Sequence, residues 1–507
     1  MQSTTSAPVI QHPTISDEPA YKVQILQPAP MPLPNSRVAS ALATPIASHA
    51  PTPRSEPIAA ERILSVSEVA TIFIKSLIQS AQDFLGKKIQ GAVITVPATF
   101  TDAQRTALEK AATNAGVNVL QLLDEAGAAA ATTTTDLWSS NLLADRTQLV
   151  VDLGSSSLSL SLLSIREGLT YVLASSHSTN IGGDQIDDKL IKFFATDFTK
   201  KTKIPLTVCP STDVSDKRAE AKLRLAIEHT KRTISASPGA ATCSVESLKD
   251  GVDYTGSINR MRFDMVVNVV YLAVASAVSA LLADAGVDAH NIDEIVYVGG
   301  TTCLPGLDDC VCLTGGFREE IETPFSRGTV VGGGVGDPTT ILARGSAFQA
   351  ALISSISDSE GELREAFSRE TKMNEVKATT RTLGVLFPNN SQEGKEVGGT
   401  WIPVIQKETA LPARRIVSFD VELTDDSKRI AFEVWEVKEG IRVEKIVSPN
   451  EDEDDEIEVK HRTLSKEVLL GAIETNAKLG IQIKGKSKDK GKWFTRVEVH
   501  CWARWKP

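Results

Sequence analysis

Residues Ala92-Val93-Ile94-Thr95-Val96-Pro97 form a short β-branched run closed by proline, and Thr101-Asp102-Ala103-Gln104 follows soon after. Such a run reads as a strand, and a threonine followed three residues on by glutamine reads as a helix-capping box. The helix carries Ala107, Leu108, Ala111, Ala112 and Ala115 on its apolar positions and stops at Gly116. Leu120-Gln121-Leu122-Leu123 then reads as another strand, and Glu125 opens an alanine-rich helix. Strand, helix and strand in this order predict a parallel β-α-β unit, so the fold class is α/β.

Upstream, Val69, Ile72, Phe73, Leu77, Ile78 and Ala81 recur at helical spacing between Val66 and Leu85, with Gly86 as the stop. Residues 1–60 are rich in Pro, Ala, Ser and Thr, as in Pro28-Ala29-Pro30-Met31-Pro32-Leu33-Pro34, and read as a disordered arm. Downstream, Gln148–Asp152, Ser156–Ile165 and Leu169–Ala174 read as a meander broken by Gly154 and by Arg166-Glu167-Gly168. A helix follows Gly182-Gly183-Asp184, a long helix ends near Ser235, and Glu294-Ile295-Val296-Tyr297-Val298 is a last strand before Gly299-Gly300. The α/β domain is therefore placed at 61–353, a charged linker at 354–378, and an all-β domain at 379–507, where Ile430–Val437 is strand-like. Asn450–Glu456 is too acidic to pack and Lys484–Lys492 is basic and glycine-spaced, so both read as solvated loops.

A length of 507 residues with 41% hydrophobic content exceeds one core. The net charge of −10 argues against direct binding of DNA along its phosphates. Six cysteines without regular spacing fit a reducing compartment, and Cys310-Val311-Cys312 lacks the spacing and partners of a metal clip. No charged start leads into an apolar segment, so the expected location is cytoplasmic. The uncharged stretch Met265–Ala283 is long enough to cross a bilayer, but Asn268, Tyr271, Ser276 and Ser279 interrupt it and Gly286 ends it as a cap, which favours a buried helix over a membrane span.

Glu228, Lys231, Arg232 and Ser235 fall on one helical stripe by their spacing. That stripe can face a ligand, or it can be a solvated face with a Glu228-to-Arg232 pair. The run Glu228-His229-Thr230-Lys231-Arg232-Thr233-Ile234-Ser235 resembles the adenosine-binding helix of the heat-shock protein 70 family. The resemblance implies an actin-like (ribonuclease H-like) nucleotide-binding domain, with Glu228 and Lys231 on ribose hydroxyls, Arg232 stacked on adenine and Ser235 on the base. The cofactors it implies are ATP and magnesium.

Other motifs resemble the same family less closely. Gly299-Gly300-Thr301-Thr302 is similar to its second adenosine motif, with Cys303 where an arginine is usual, and Asp337-Pro338-Thr339 is similar to an Asn-Pro-Asp. Asp152-Leu153-Gly154-Ser155-Ser156-Ser157 resembles its second phosphate loop, with serines for glycines and threonine and with Ser159 for an aspartate. Asp152 would hold magnesium through water, and Glu125, in Asp124-Glu125-Ala126, would help position attacking water. Gly154, Ser157, Gly182, Gly183, Gly299, Gly300, Thr301 and Thr339 complete the expected binding set.

The family's opening phosphate loop and its γ-phosphate lysine are not recognisable in residues 1–60, so the domain is expected to be incomplete at the N-terminus and to hydrolyse ATP poorly. Val404–Pro412 is similar to the first strands of the substrate β-sandwich, and the β-rich domain is expected to lack the family's helical lid. These departures look like the atypical ribosome-associated branch that partners the J-domain protein zuotin, beside an ATP-hydrolysing chaperone and nascent polypeptide. Two alternatives are a fully hydrolysing chaperone represented by an incomplete gene model, and an actin-fold sugar kinase. The β-rich C-terminal region and the adenosine stripe speak against the kinase.

Overall fold

The computed structural model describes residues 9–15, 18–27, 58–135, 142–237, 239–326, 328, 333–357, 361, 377–388, 397–423, 429–447, 456–476 and 493–503. The proline run at 28–34, the body of the linker and the charged stretches at 450–455 and 484–492 lie outside them.

The chain forms two compact units. The first holds β1 (Val9–Gln11), β2 (Pro19–Gln27), β3 (Ile58–Ser65), α1 (Val66–Leu85), β4 (Ala92–Val96), α2 (Asp102–Asn114) and most of β5 (Val119–Asp124). The expected capping box of Thr101 with Gln104 starts α2, and a second one, Ser65 with Glu68, starts α1. Gly86 at φ 63° ends α1, since a left-handed cap suits a residue without Cβ. The stretch expected to be a disordered arm departs from that expectation at 9–11 and 19–27, where β1 pairs with β2 and β2 with β3 in one antiparallel sheet. Tyr21-Lys22-Val23-Gln24-Ile25 alternates apolar with polar, and Ala20 at the sheet's end is fully buried. The apolar residues Ile72, Phe73 and Leu77 of α1 are exposed.

The second unit begins with α3 (Glu125–Thr133), then β6 (Arg146–Leu153), β7 (Leu158–Arg166), β8 (Leu169–Ser178), α4 (Gly183–Thr202), α5 (Val214–Ala236), β9 (Ala240–Lys249) and β10 (Val252–Asn259). It continues with α6 (Arg260–Ala285), β11 (Glu294–Val298), α7 (Leu307–Thr314) and α8 (Ile341–Ser355). Its sheet runs β11-β6-β7-β8, with β11 parallel to β6 and the rest an antiparallel meander. One face of that sheet packs Leu158, Leu160 and Leu162 against α4, α5 and α6, and the other packs Val150, Leu163 and Val296 against α3 and Ile341. Among the described residues α6 is the single helix long and apolar enough to span a membrane, and Phe263, Val267, Tyr271, Val274 and Val278 are buried in the main core.

The all-β segment has β12 (Thr382–Pro388), β13 (Gly399–Ile405), β14 (Ala413–Leu423), β15 (Arg429–Val447), β16 (Glu456–Asn476) and β17 (Trp493–Ala503). They form a four-stranded sheet ordered β13-β12-β15-β16 and a β14-β17 pair. The β15-β16 ribbon extends well beyond β12 and touches the loop before β11, where Lys460 meets Asp288 at 2.8 Å and Arg462 meets Asp293 at 3.0 Å.

Candidate functional site

Helix α5 buries Ala219, Leu223, Ile227, Thr230 and Ile234, spaced at three and four residues, so its core face is set. Glu228, Lys231, Arg232 and Ser235 consequently fall on a different face, and all four line one cleft of about 1120 Å³. Both readings of the stripe hold together. Glu228 pairs with Arg232 at 2.9 Å, and it also pairs with Lys231 at 2.9 Å, which reaches Asp187 at 2.8 Å. Lys231 holds the Glu228 carboxyl below its ordinary range. The Arg232 side chain is 79% exposed, so its guanidinium plane is open to stack on a ring. Ser235 Oγ donates to the Cys303 carbonyl at 2.6 Å, which leaves its lone pairs to accept from a base amino group.

The phosphate-loop resemblance maps onto the β6–β7 hairpin. Gly154 N–H donates to Ser157 O at 2.9 Å, Gly183 N–H to Gly154 O at 3.0 Å, and Asp184 N–H to Ser155 O at 2.7 Å. Thr301 Oγ1 also donates to Gly154 O, at 3.1 Å. A Cβ on Gly182 would lie 2.6 Å from Ser155 O, so glycine there permits the two loops to touch. Of the paired glycines, Gly299 sits at φ 94° with its missing Cβ aimed at Leu153 O, whereas Gly300 lines the cleft. Gly154, Gly183, Gly300, Thr301 and Thr339 therefore join the stripe around one space, while Gly182, Gly299 and Ser157 support its walls. The Thr339 hydroxyl donates to the buried Asp337 at 2.8 Å.

The stripe, the glycines and the cleft's size fit an adenosine nucleotide. Asp152, expected to hold magnesium through water, is not on the cleft lining; its in-register neighbours are Ser159 on β7 and, beyond that, His177 on β8. A carboxylate set back in this way would reach a phosphate-bound magnesium ion through water rather than directly.

Burial raises the Asp152 carboxyl to about 6, and burial followed by the charge of Asp152 raises Glu125 to about 7. A raised carboxyl favours the folded state below its ordinary value of 4.5, and that contribution is lost as pH rises through about 7. Glu125→Gln keeps the neutral form at every pH. Urea unfolding should show it more stable than wild type at pH 8 by about 1–2 kcal/mol, discounted for partial exposure, with no difference near pH 4. An equal gain at both pH values would contradict this origin.

Arg260, Asp187, Cys303 and Asp308 also line the cleft without having been singled out as site residues. Arg260 opens α6 directly after the Asn259 cap, far from the stripe in sequence, so no spacing connects them. Burial pushes the Cys303 thiol up to about 11, which keeps it neutral where the family motif would carry an arginine.

The family described as Hsp70 protein matches residues 48–363. A heat shock protein 70 homolog of Schizosaccharomyces pombe is 32% identical over 83% of this chain and 71% of its own length. A heat shock 70 kDa protein of Emericella nidulans is 30% identical over 73% of this chain and 51% of its own length. The ribosome-associated complex subunit SSZ1 of Saccharomyces cerevisiae is 30% identical over 70% of this chain and 61% of its own length. The chain thus spans between about half and seven tenths of these relatives.

Proposed function

This chain belongs to the heat-shock protein 70 family, and we propose that it is an ATP-binding chaperone subunit that holds nucleotide better than it hydrolyses it. The observation that carries the reading is the convergence of Glu228, Lys231, Arg232 and Ser235 with Gly300 and Thr301 on one cleft. Glu228 and Lys231 would hold ribose hydroxyls, Arg232 would lie on adenine, and Ser235 would accept from the base. Bound ATP would supply a phosphate chain directed toward the Gly154–Ser157 hairpin.

Poor turnover follows from what the loops do with their amides. Phosphoryl transfer depends on donors aimed at the charge that develops in the transition state, each worth roughly 100-fold or more in rate. The Gly154, Gly183 and Asp184 amides already donate to loop carbonyls, and Ser159 stands where a carboxylate is expected. One observation favours the alternative of a hydrolysing chaperone: a Glu125 carboxyl near 7 is poised for general-base work.

Calorimetry with ATP on the whole chain, run alongside a phosphate-release assay, tests both. Binding without turnover is expected. Glu228→Ala with Arg232→Ala should weaken that binding at least tenfold, since two charged contacts are lost. Brisk phosphate release abolished by Glu125→Gln would establish the hydrolysing alternative instead.

The SSZ1 relative supports extending the reading to a cytoplasmic, ribosome-associated subunit that works beside a J-domain protein of the zuotin type and an ATP-hydrolysing partner chaperone. Salt-sensitive cosedimentation with ribosomes in the presence of the J-protein tests that part; sedimentation indifferent to either would remove it.

A further inference from the structure

We propose that the exposed face of α6 is a docking surface for a second copy of this chain, whose own α6 lies antiparallel along it about a two-fold axis. The inference is independent of the nucleotide reading. Helix α6 turns Phe263, Val267, Val270 and Val274 into the core. Met265, Val269, Leu272, Ser276, Ser279 and Ala283 fall on the opposite side, all exposed, at alternating spacings of four and three residues. That alternation is the pattern of a helix-pairing seam, and at the rise of an α-helix it runs for about 27 Å. Met265, Val269 and Leu272 are 65%, 62% and 45% exposed. Three large apolar side chains adjoining on one stripe mark an interaction surface, whereas single ones scattered over a protein do not.

The face selects a second copy because it is complementary to itself turned end for end. Its N-terminal half carries the large side chains and its C-terminal half the small ones. Antiparallel alignment sets Met265 against Ala283, Val269 against Ser279 and Leu272 against Ser276 of the second copy, and the two-fold axis repeats each pair. Parallel alignment would set large on large and small on small. Ser279 Oγ already donates to Ala275 O at 3.1 Å, so it brings no unsatisfied donor into the seam. No charged residue lies between Met265 and Ala283, so like-charge repulsion does not oppose self-pairing there. Beyond the seam the charges are opposite. Arg262, exposed and 5.6 Å from the Phe193 ring centre, comes over the last turn of the second copy's helix, where Asp284 and the negative end of the helix dipole attract a cation.

Sedimentation equilibrium on the whole chain, from about 1 to about 200 µM, tests this. A seam of this length is at the small end of specific interfaces, so a dimer with a dissociation constant of about 30 µM is expected. Leu272→Glu enters the seam twice by symmetry and should weaken the dimer at least tenfold. Leu272 is half-exposed in the single chain, so the melting temperature measured at low concentration should stay unchanged. Leu272→Glu combined with Ser276→Lys should restore the dimer, because antiparallel pairing sets each introduced carboxylate against an introduced ammonium, while parallel pairing sets like against like. A wild-type chain that is monomeric at the highest concentration, or a dimer indifferent to Leu272→Glu, overturns the inference. A double variant as weak as Leu272→Glu overturns the antiparallel alignment. Binding of monomeric wild type to phosphatidylcholine vesicles, lost in Leu272→Glu, would assign the face to a lipid surface and overturn the inference as well.

Discussion

Arg146→Met is expected to lower the stability of the second unit by about 3–5 kcal/mol, because it leaves a buried carboxylate without its charge partner. Glu294 is fully buried and Arg146 nearly so. Their side chains meet at 3.1 Å, Gln148 donates to the same Glu294 oxygen at 2.8 Å, and Arg146 reaches Thr133 O at 2.9 Å. This network ties together β6, whose penultimate residue is Asp152, β11, which Gly299 follows, and the end of α3, which begins with Glu125. Urea unfolding followed by far-ultraviolet circular dichroism reads the loss. A double replacement, Arg146→Met with Glu294→Leu, should recover much of it, since the penalty belongs to the orphaned charge. Equal instability of single and double variants would mean that packing carries the effect.

Gly345→Ala should cost about 3 kcal/mol or more despite the gain in helix propensity. A Cβ on Gly345 would stand 1.8 Å from the Ala128 carbonyl oxygen and 2.9 Å from Thr132 Oγ1. The first contact is with backbone, so no side-chain rotation relieves it. Ala128, Ala129 and Ala130 are fully buried, and Thr132 Oγ1 donates to Ile341 O at 2.7 Å, so α3 and α8 cross closely through small residues. Forcing them apart moves Glu125 at the start of α3 and Thr339 just before α8. Thr132→Ala, which removes one hydrogen bond and a buried methyl but adds no clash, should cost only about 1–2 kcal/mol. A Gly345→Ala protein with an unchanged unfolding midpoint would show that the helices can separate freely.

Where a signal is local, it was legible. Thr101 with Gln104 announces α2, and Gly86 and Gly286 end α1 and α6, because capping depends on residues within one turn. The β-branched run Glu294–Val298 is the strand β11 with the same bounds. Strand β2 was hidden. Its alternation spans few residues inside a proline- and alanine-rich stretch, and it is held by β3, more than thirty residues further on. The combined length of β15 and β16 was equally opaque, because a ribbon's extent depends on the register of two strands rather than on either alone.

The site divides along the same line. Spacing within α5 was enough to put Glu228, Lys231, Arg232 and Ser235 on one stripe, since helical periodicity is intrinsic to the chain. Whether that stripe faced solvent or a cleft, and that Arg260, Cys303 and Asp187 would share it, depended on how α5, α6 and the β6–β7 hairpin pack. The row of Asp152, Ser159 and His177 exists only through strand register, and the raised carboxyls of Asp152 and Glu125 only through burial. The sequence alone determined the elements and the chemistry of each side chain, because these follow from neighbours along the chain. Tertiary structure decided which of them meet, because proximity and desolvation are properties of segments brought together from distant parts of the chain.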